Sequence, residues 1–585
     1  MSLLKTLGAC SVLMCTCLAA SPDLIVVGAG IGGLSTALEA ARNGARVVVV
    51  DQSSVFGGHA VASEGGLFLV GTPAQKAQGI ADSPELAYRD FVQWGEDADE
   101  YWARLYSNRS LSDVHDWMTA MGVKFTFVRF TPGNTVARFH ENAQRGFGVV
   151  APIYRECLRT GRVEFQWHVK VTSLLRREGR VVGVEGAHER TGRNMRWEAP
   201  AVVLATGGFQ GSLALVKKNW PKGLAVPETI LIGGGIHATG GGHALAKAAG
   251  AAEDRMDHMW LYARGVPDPR YPGTQRGLSV INRAAIMVNR EGSRYHREVS
   301  GEKFAFPAMV QQTDGRAWLV FDENAKRHTV VAGTDWADWA RVELEIFGNP
   351  KLVQKANTID ELARRAGIAA DGLQRTVDRF NRMIDDGVDQ DFGRFDASNP
   401  PAKQPSGRPP ILAVRQAPFY AIPLYPLTRK SMGGLATDQQ SRVLDAGRKP
   451  IPGLYAVGEV AGFGGINGKA GLEGTFLGPS ILQGRMLGKS LAPAEPQPLA
   501  PQAKPATDTP RGANAPDCAV CHPLPKLVRT PRRGYWHFER VHSRVIEKQW
   551  NCSQCHAELT PFHATSHKID RVAQVANCVF CHAGK

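Results

Sequence analysis

Cysteine is almost missing from the body of this chain. Of ten cysteines in 585 residues, Cys157 alone lies between positions 18 and 517. A disulfide framework is therefore excluded as the source of stability there. Long apolar runs are missing as well: after Ala20 no stretch is long enough to read as a membrane-spanning helix. Aromatics make up 8% of the residues, and no basic run carries them interleaved, so the net charge of +14 does not describe a nucleic-acid surface. What remains is an ordinary globular composition, 43% hydrophobic and 21% charged. The chain is too long for one core, and two or more domains are expected.

The other cysteines sit at the two ends. Cys10, Cys15 and Cys17 fall in an apolar stretch that follows Lys5 and runs to Ala20, with small residues before Ser21. A basic start, a short apolar run and small residues read as a secretory signal peptide over 1–20, and so imply a periplasmic location. Residues 491–517 hold seven prolines and many alanines, and with little to bury they read as a semi-rigid linker. Beyond it, Cys518-Ala-Val-Cys521-His522, Cys552-Ser-Gln-Cys555-His556 and Cys578-Val-Phe-Cys581-His582 repeat one unit. Each reads as a c-type haem attachment site, in which two thiols form thioethers and the histidine ligates iron. Three such units call for three covalently bound haems. His537, His542, His563 and His567 are the candidate second axial ligands, four for three irons. A second imidazole closes the iron and favours electron transfer. Tyr535, Trp536, Phe538 and Phe562 are candidates to pack haem faces. A segment this short, over 518–585, needs its cofactors as its core. A small haem-packed domain with little regular structure is expected there.

Residues 22–490 are different. Leu24-Ile-Val-Val27 reads as a buried parallel strand, Gly28-Ala-Gly30-Ile-Gly-Gly33 follows, and a helical pattern runs from Leu34 to Arg42. Val47–Val50 is a second buried strand ending at Asp51. Strand, glycine turn, helix, strand and acid make a dinucleotide site. Gly28 permits the tight turn, Gly30 lets a pyrophosphate approach, and Gly33 lets helix pack on strand. The helix start favours phosphate charge, and Asp51 can accept from ribose hydroxyls.

Further motifs follow in order: Phe56-Gly-Gly-His59 through Gly65-Gly66, Val203-Leu-Ala-Thr206-Gly207-Gly208-Phe209, Ala238-Thr-Gly240, Ile286 to Arg294, Met432-Gly-Gly434, and Gly453-Leu-Tyr-Ala-Val-Gly458-Glu459. Over nearly all of 22–490 this set resembles the fumarate reductase/succinate dehydrogenase flavoprotein family, which includes flavocytochrome c and the 3-ketosteroid dehydrogenases. The resemblance implies an α/β fold: a Rossmann-like FAD-binding domain in two parts, 21–259 and 413–490, with an α+β substrate-capping domain inserted over 260–412. It places Gly65 and Gly66 near the flavin ring, Thr206 and Gly207 on the adenosine side, Glu459 on ribose or ribityl hydroxyls, and Thr475 and Leu477 behind the flavin. His59 stands where membrane-bound relatives attach FAD covalently. Attachment and an ordinary polar neighbour both stay open there.

At the substrate positions the resemblance breaks. Glu302 stands where a fumarate reductase has its acid arginine, a stretch around Tyr262 replaces His-Pro-Thr, and Arg429-Lys430-Ser431 replaces a histidine before Met-Gly-Gly. Gly471, with Lys469 nearby, replaces a last arginine. The string from Asn467 to Ser480 is more similar to the ketosteroid-dehydrogenase-like branch. Lys430 or Lys469 is a candidate to stabilise an enolate, and Tyr262, Tyr295 or His296 to exchange a proton. Arg429, Arg138 and His140 are further polar candidates. The substrate implied is a small molecule with a carbonyl or carboxylate beside a C–C or C=C bond, and fumarate is not favoured. The redox partner implied is a quinol-linked or soluble cytochrome, and nucleic acid is not expected. A reductase fed by the haems, a dehydrogenase that discharges through them, and an electron-transfer protein with a degenerate site are the three readings.

Overall fold

The computed structural model describes residues 21–333, 336–395 and 411–494. The expected leader over 1–20, nearly all of the expected linker, the three Cys-x-x-Cys-His units and the four distal histidine candidates lie outside the described residues.

Strand β1 (Leu24–Val27) and strand β2 (Val47–Val50) are uninterrupted apolar tetrads, every residue buried, as a parallel strand covered on both faces requires. They pair in parallel from Leu24 with Val47 to Val27 with Val50. Helix α1 (Ile31–Arg42) makes the crossover between them. The sheet has six strands, in the order 442–444, 450–456, 201–204, β1, β2, 163–166. Its core is parallel, and the edge hairpin of 442–444 with 450–456 is antiparallel. The helix Leu477–Ser490 closes the chain's return to this layer and packs along α1.

A second sheet of eight strands is built around Phe419–Ser431. This strand pairs with Ala317–Asp322 on one side and Met259–Pro267 on the other, both antiparallel. The second sheet thus draws on a strand beyond position 412. The register carries an irregularity that matters for the site. Trp260 faces Lys430, but Leu261 faces Thr428, so Arg429 is an extra residue in a bulge. Regular alternation would send Arg429 and Lys430 to opposite faces. A bulge re-aims one of them, and both side chains line one cavity.

Arg138 and His140 belong to the frame. Arg138 is wholly buried, with Nη2 2.8 Å from Asp82 and Nη1 on Asp90. His140 Nε2 lies 2.7 Å from the Thr72 hydroxyl, and burial holds the imidazole neutral down to about 4. Neither lines the cavity, which corrects their candidacy at the active site. Arg138→Met would strand two buried carboxylates, and the expected loss is about 3–5 kcal/mol, read as a lowered urea midpoint. A change no larger than that of an exposed ion pair, about 1 kcal/mol or less, would contradict this account.

Candidate active site

The dinucleotide end is built as the motif requires. Gly28 leaves β1 at φ +111° and donates its N–H to Val50 O at 2.8 Å. No side chain caps α1 at Gly30, so the first N–H groups of the helix are left for a ligand. A Cβ built on Gly30 has its nearest neighbour, Ala205 O, at 3.8 Å, so the approach is open. Asp51, at the end of β2, accepts from Ala29 N at 2.5 Å and Ser53 N at 2.6 Å, and burial raises its carboxyl above the usual value. Glu459 accepts from Ser431 N at 2.9 Å, and burial pushes it up to about 7.

These residues fit FAD. Gly28 and Gly30 would take the diphosphate, with Gly33 keeping α1 close to β1, while Thr206 and Gly207 would take the adenosine side and Asp51 and Glu459 hydroxyl groups. Gly65, Gly66 and the uncapped start of the helix at Leu477 lie together on the cavity wall, where the ring would sit. Bound FAD would supply hydride transfer there.

The cavity, about 160 Å³, is walled by the eight-stranded sheet and by the segments 63–66, 129–132 and 471–477. Trp94, Phe130, Phe139, Trp260 and Phe476 give it aromatic walls. Glu64, Arg129 and Glu302 stand on its wall, and three further segments bring the groups that meet at Tyr262. Trp260, Tyr262 and Arg264 of Met259–Pro267 all line the cavity, with Arg264 over the Tyr262 ring although the strand's register is irregular between Tyr262 and Gly265. Arg429 and Lys430 come from the bulge, and Glu473 from the loop before Leu477. The Tyr262 hydroxyl is 3.4 Å from Lys430 Nζ and 3.4 Å from Glu473 Oε1. Lys430 Nζ also lies 4.0 Å from the Phe476 ring centroid. Burial depresses this ammonium to about 7, with Glu473 opposing the shift, while burial pushes the Tyr262 phenol up.

Among the described residues no carboxylate stands within 4.0 Å of Arg429 or Lys430. Arg429 instead donates to Gly233 O at 2.8 Å and Ala62 O at 3.4 Å, and its Nε is buried without a hydrogen-bond partner.

Of the catalytic candidates, Tyr262, Arg429 and Lys430 are brought together on this wall. Lys469 is not. Its backbone N–H is tied to Gly95 O at 2.9 Å, its side chain is 59% exposed and pairs with Glu96 at 3.7 Å, and it lies off the cavity. His296 is also elsewhere. It is buried in the cap against Tyr295, ring centroids 4.6 Å apart, and burial keeps it neutral down to about 4. His59 packs against Gly235 off the cavity wall, with Nε2 buried and unpartnered. Burial and then the charges of Arg429 and Lys430 hold its pKa well down. The Thr475 hydroxyl lies 2.5 Å from both Asn467 Oδ1 and Leu472 O and fixes its own loop. Arg264 is a residue that sequence reasoning passed over, although its position two residues after Tyr262 is a signal that could have found it.

A family model described as FAD binding domain matches residues 23–477. A KsdD-like steroid dehydrogenase of Mycobacterium tuberculosis is 29% identical over 562 residues, covering 80% of this chain and 95% of that protein. A fumarate reductase (cytochrome) of Shewanella frigidimarina is 31% identical over 482 residues, covering 80% of this chain and 77% of that one. The open conformation of a flavocytochrome c3 fumarate reductase superposes with a TM-score of 0.65 at 27% identity, covering 81% of this chain and 78% of the other. The site and these likenesses define an FAD-dependent oxidoreductase of the CH–CH and C=C class. The chain belongs to the FAD binding domain family.

Proposed function

We propose that this protein is an exported flavocytochrome that reduces a C=C bond activated by a carbonyl, drawing electrons through three c-type haems on 518–585. The observation that carries this reading is the Tyr262 hydroxyl held between Lys430 and Glu473 on an aromatic-walled cavity beside Gly65, Gly66 and Leu477. Bound FAD would supply hydride to one alkene carbon. The other carbon needs a proton, and Tyr262 is the donor. The Lys430 ammonium stabilises the phenolate left behind. Arg429, with no carboxylate beside it among the described residues, polarises the carbonyl. Glu473, whose side chain is 25% exposed, connects Tyr262 to solvent for reprotonation.

The opposite direction uses the same groups, with Tyr262 as base toward a saturated ketone and electrons leaving through the haems. The likeness to a steroid dehydrogenase supports that second reading.

The test is a redox-coupled screen on protein recovered from the periplasm. Prereduced haems should be reoxidised on addition of a conjugated ketone. Haem reduction by a saturated ketone would instead establish the dehydrogenase, and inertness toward both classes would sink each reading. In the same preparation three haems per chain are expected, and two in the Cys552→Ala/Cys555→Ala variant. An unchanged count would overturn the assignment of the second unit.

A further inference from the structure

Arg264 is a guanidinium on the same cavity wall as Tyr262, and so stands where a substrate carboxylate would be gripped. It is already clamped. Its Nε lies 3.0 Å from Glu302 Oε1, a charge contact in which the N–H is not aligned on the oxygen. Its Nη2 donates to Glu473 Oε1 at 3.3 Å. The guanidinium carbon stands over the Tyr262 ring, 4.0 Å from its centroid. Glu302 is 7% exposed and takes a further hydrogen bond from Ala263 N at 2.8 Å. It is built into the cap's helix start rather than left free to swing. A carboxylate arriving at Arg264 therefore finds the guanidinium already paired with two carboxylates, Glu302 buried and Glu473 25% exposed, and like charges repel. An uncharged carbonyl meets no such barrier and still finds Arg429, Lys430 and the Tyr262 hydroxyl.

We propose that Glu302 and Glu473 are specificity-determining residues: by sequestering Arg264 they close the cavity to dicarboxylates and reserve it for an uncharged carbonyl substrate. The inference rests on the flavin-cavity reading above but on neither the haems nor the direction of the reaction.

The test is binding to the oxidised, FAD-loaded protein, read as perturbation of the flavin absorbance by fumarate and by a cyclic conjugated ketone. No reductant is present, so nothing turns over. Wild type should respond to the ketone at far lower concentration than to fumarate. Glu302→Gln/Glu473→Gln keeps the shapes and removes both charges, and fumarate affinity relative to ketone affinity should rise about tenfold or more. Should the double variant lose its flavin, Glu473→Gln alone should shift that ratio in the same direction. Equal affinity for both probes in wild type, or no gain of fumarate binding relative to ketone binding in whichever variant retains flavin, would overturn the proposal. The outcome is separable from the fate of the functional reading: a protein that discriminates the probes but turns over no alkene defeats the reductase and leaves this inference standing.

Discussion

Tyr262→Phe is expected to lower turnover by about 10²–10⁴-fold while flavin content and absorbance stay as in wild type. The phenyl ring remains under Arg264, so packing is kept and only the proton-exchanging oxygen is lost. Lys430 gives this loss a pH signature. Burial sets its folded pKa near 7, below its ordinary value of 10.5. The ammonium that stabilises the phenolate is therefore present below about 7 and is lost as pH rises through that value. Reduction should fall over the same interval. Glu459 also titrates near 7, so the limb must be assigned by variants. Lys430→Met should be slow and flat with pH, whereas Glu459→Gln should keep the limb if it retains flavin. A limb that survives Lys430→Met and disappears in Glu459→Gln would remove Lys430 from the mechanism. Tyr262→Phe at wild-type rate would remove Tyr262.

The dinucleotide end was legible because its chemistry is local. Two all-apolar tetrads, three glycines at fixed spacing and an acid at a strand end can be read along thirty residues, and β1, α1 and β2 form as that spacing requires. The substrate wall was legible only in part, because it is assembled from segments far apart in sequence. Tyr262 and Lys430 stood out by residue type at positions where a related enzyme has other groups. Nothing local says that Arg429 is a bulge residue, yet the bulge is what brings both cations to one cavity. Lys469 shows the reverse failure. It lies in the right string, but the turn at Gly468, φ +54°, ties its backbone to Gly95 and sends its side chain to Glu96. His296 was plausible by type alone, and its burial in the cap could not be read from neighbours in sequence.

Gly33→Ala is expected to weaken flavin retention and to destabilise the fold, whereas Gly30→Ala is expected to do only the first. The difference follows from what an added methyl would meet. At Gly33 it falls 2.0 Å from Gly28 O and 3.1 Å from Val26 Cγ1 and Ala205 Cβ. The first of these is backbone in the glycine turn and cannot yield without moving α1 off the sheet. Overpacking of this kind costs about 1–3 kcal/mol, and the displaced helix start no longer presents its N–H groups. At Gly30 the nearest atom among the described residues, its chain neighbours aside, is Ala205 O at 3.8 Å. The methyl then occupies only the space by which a pyrophosphate approaches, and the apoprotein should melt as wild type does. Flavin affinity should fall about tenfold or more, 1.4 kcal/mol, in both variants. The checks are the flavin-to-protein ratio after gel filtration and the melting temperature of the apoproteins. A Gly30→Ala variant that holds flavin as tightly as wild type would show that the open face of α1 is not where the diphosphate binds. A Gly33→Ala apoprotein as stable as wild type would show that the turn can relax around the methyl, and that the close packing of α1 on β1 is not what the third glycine secures.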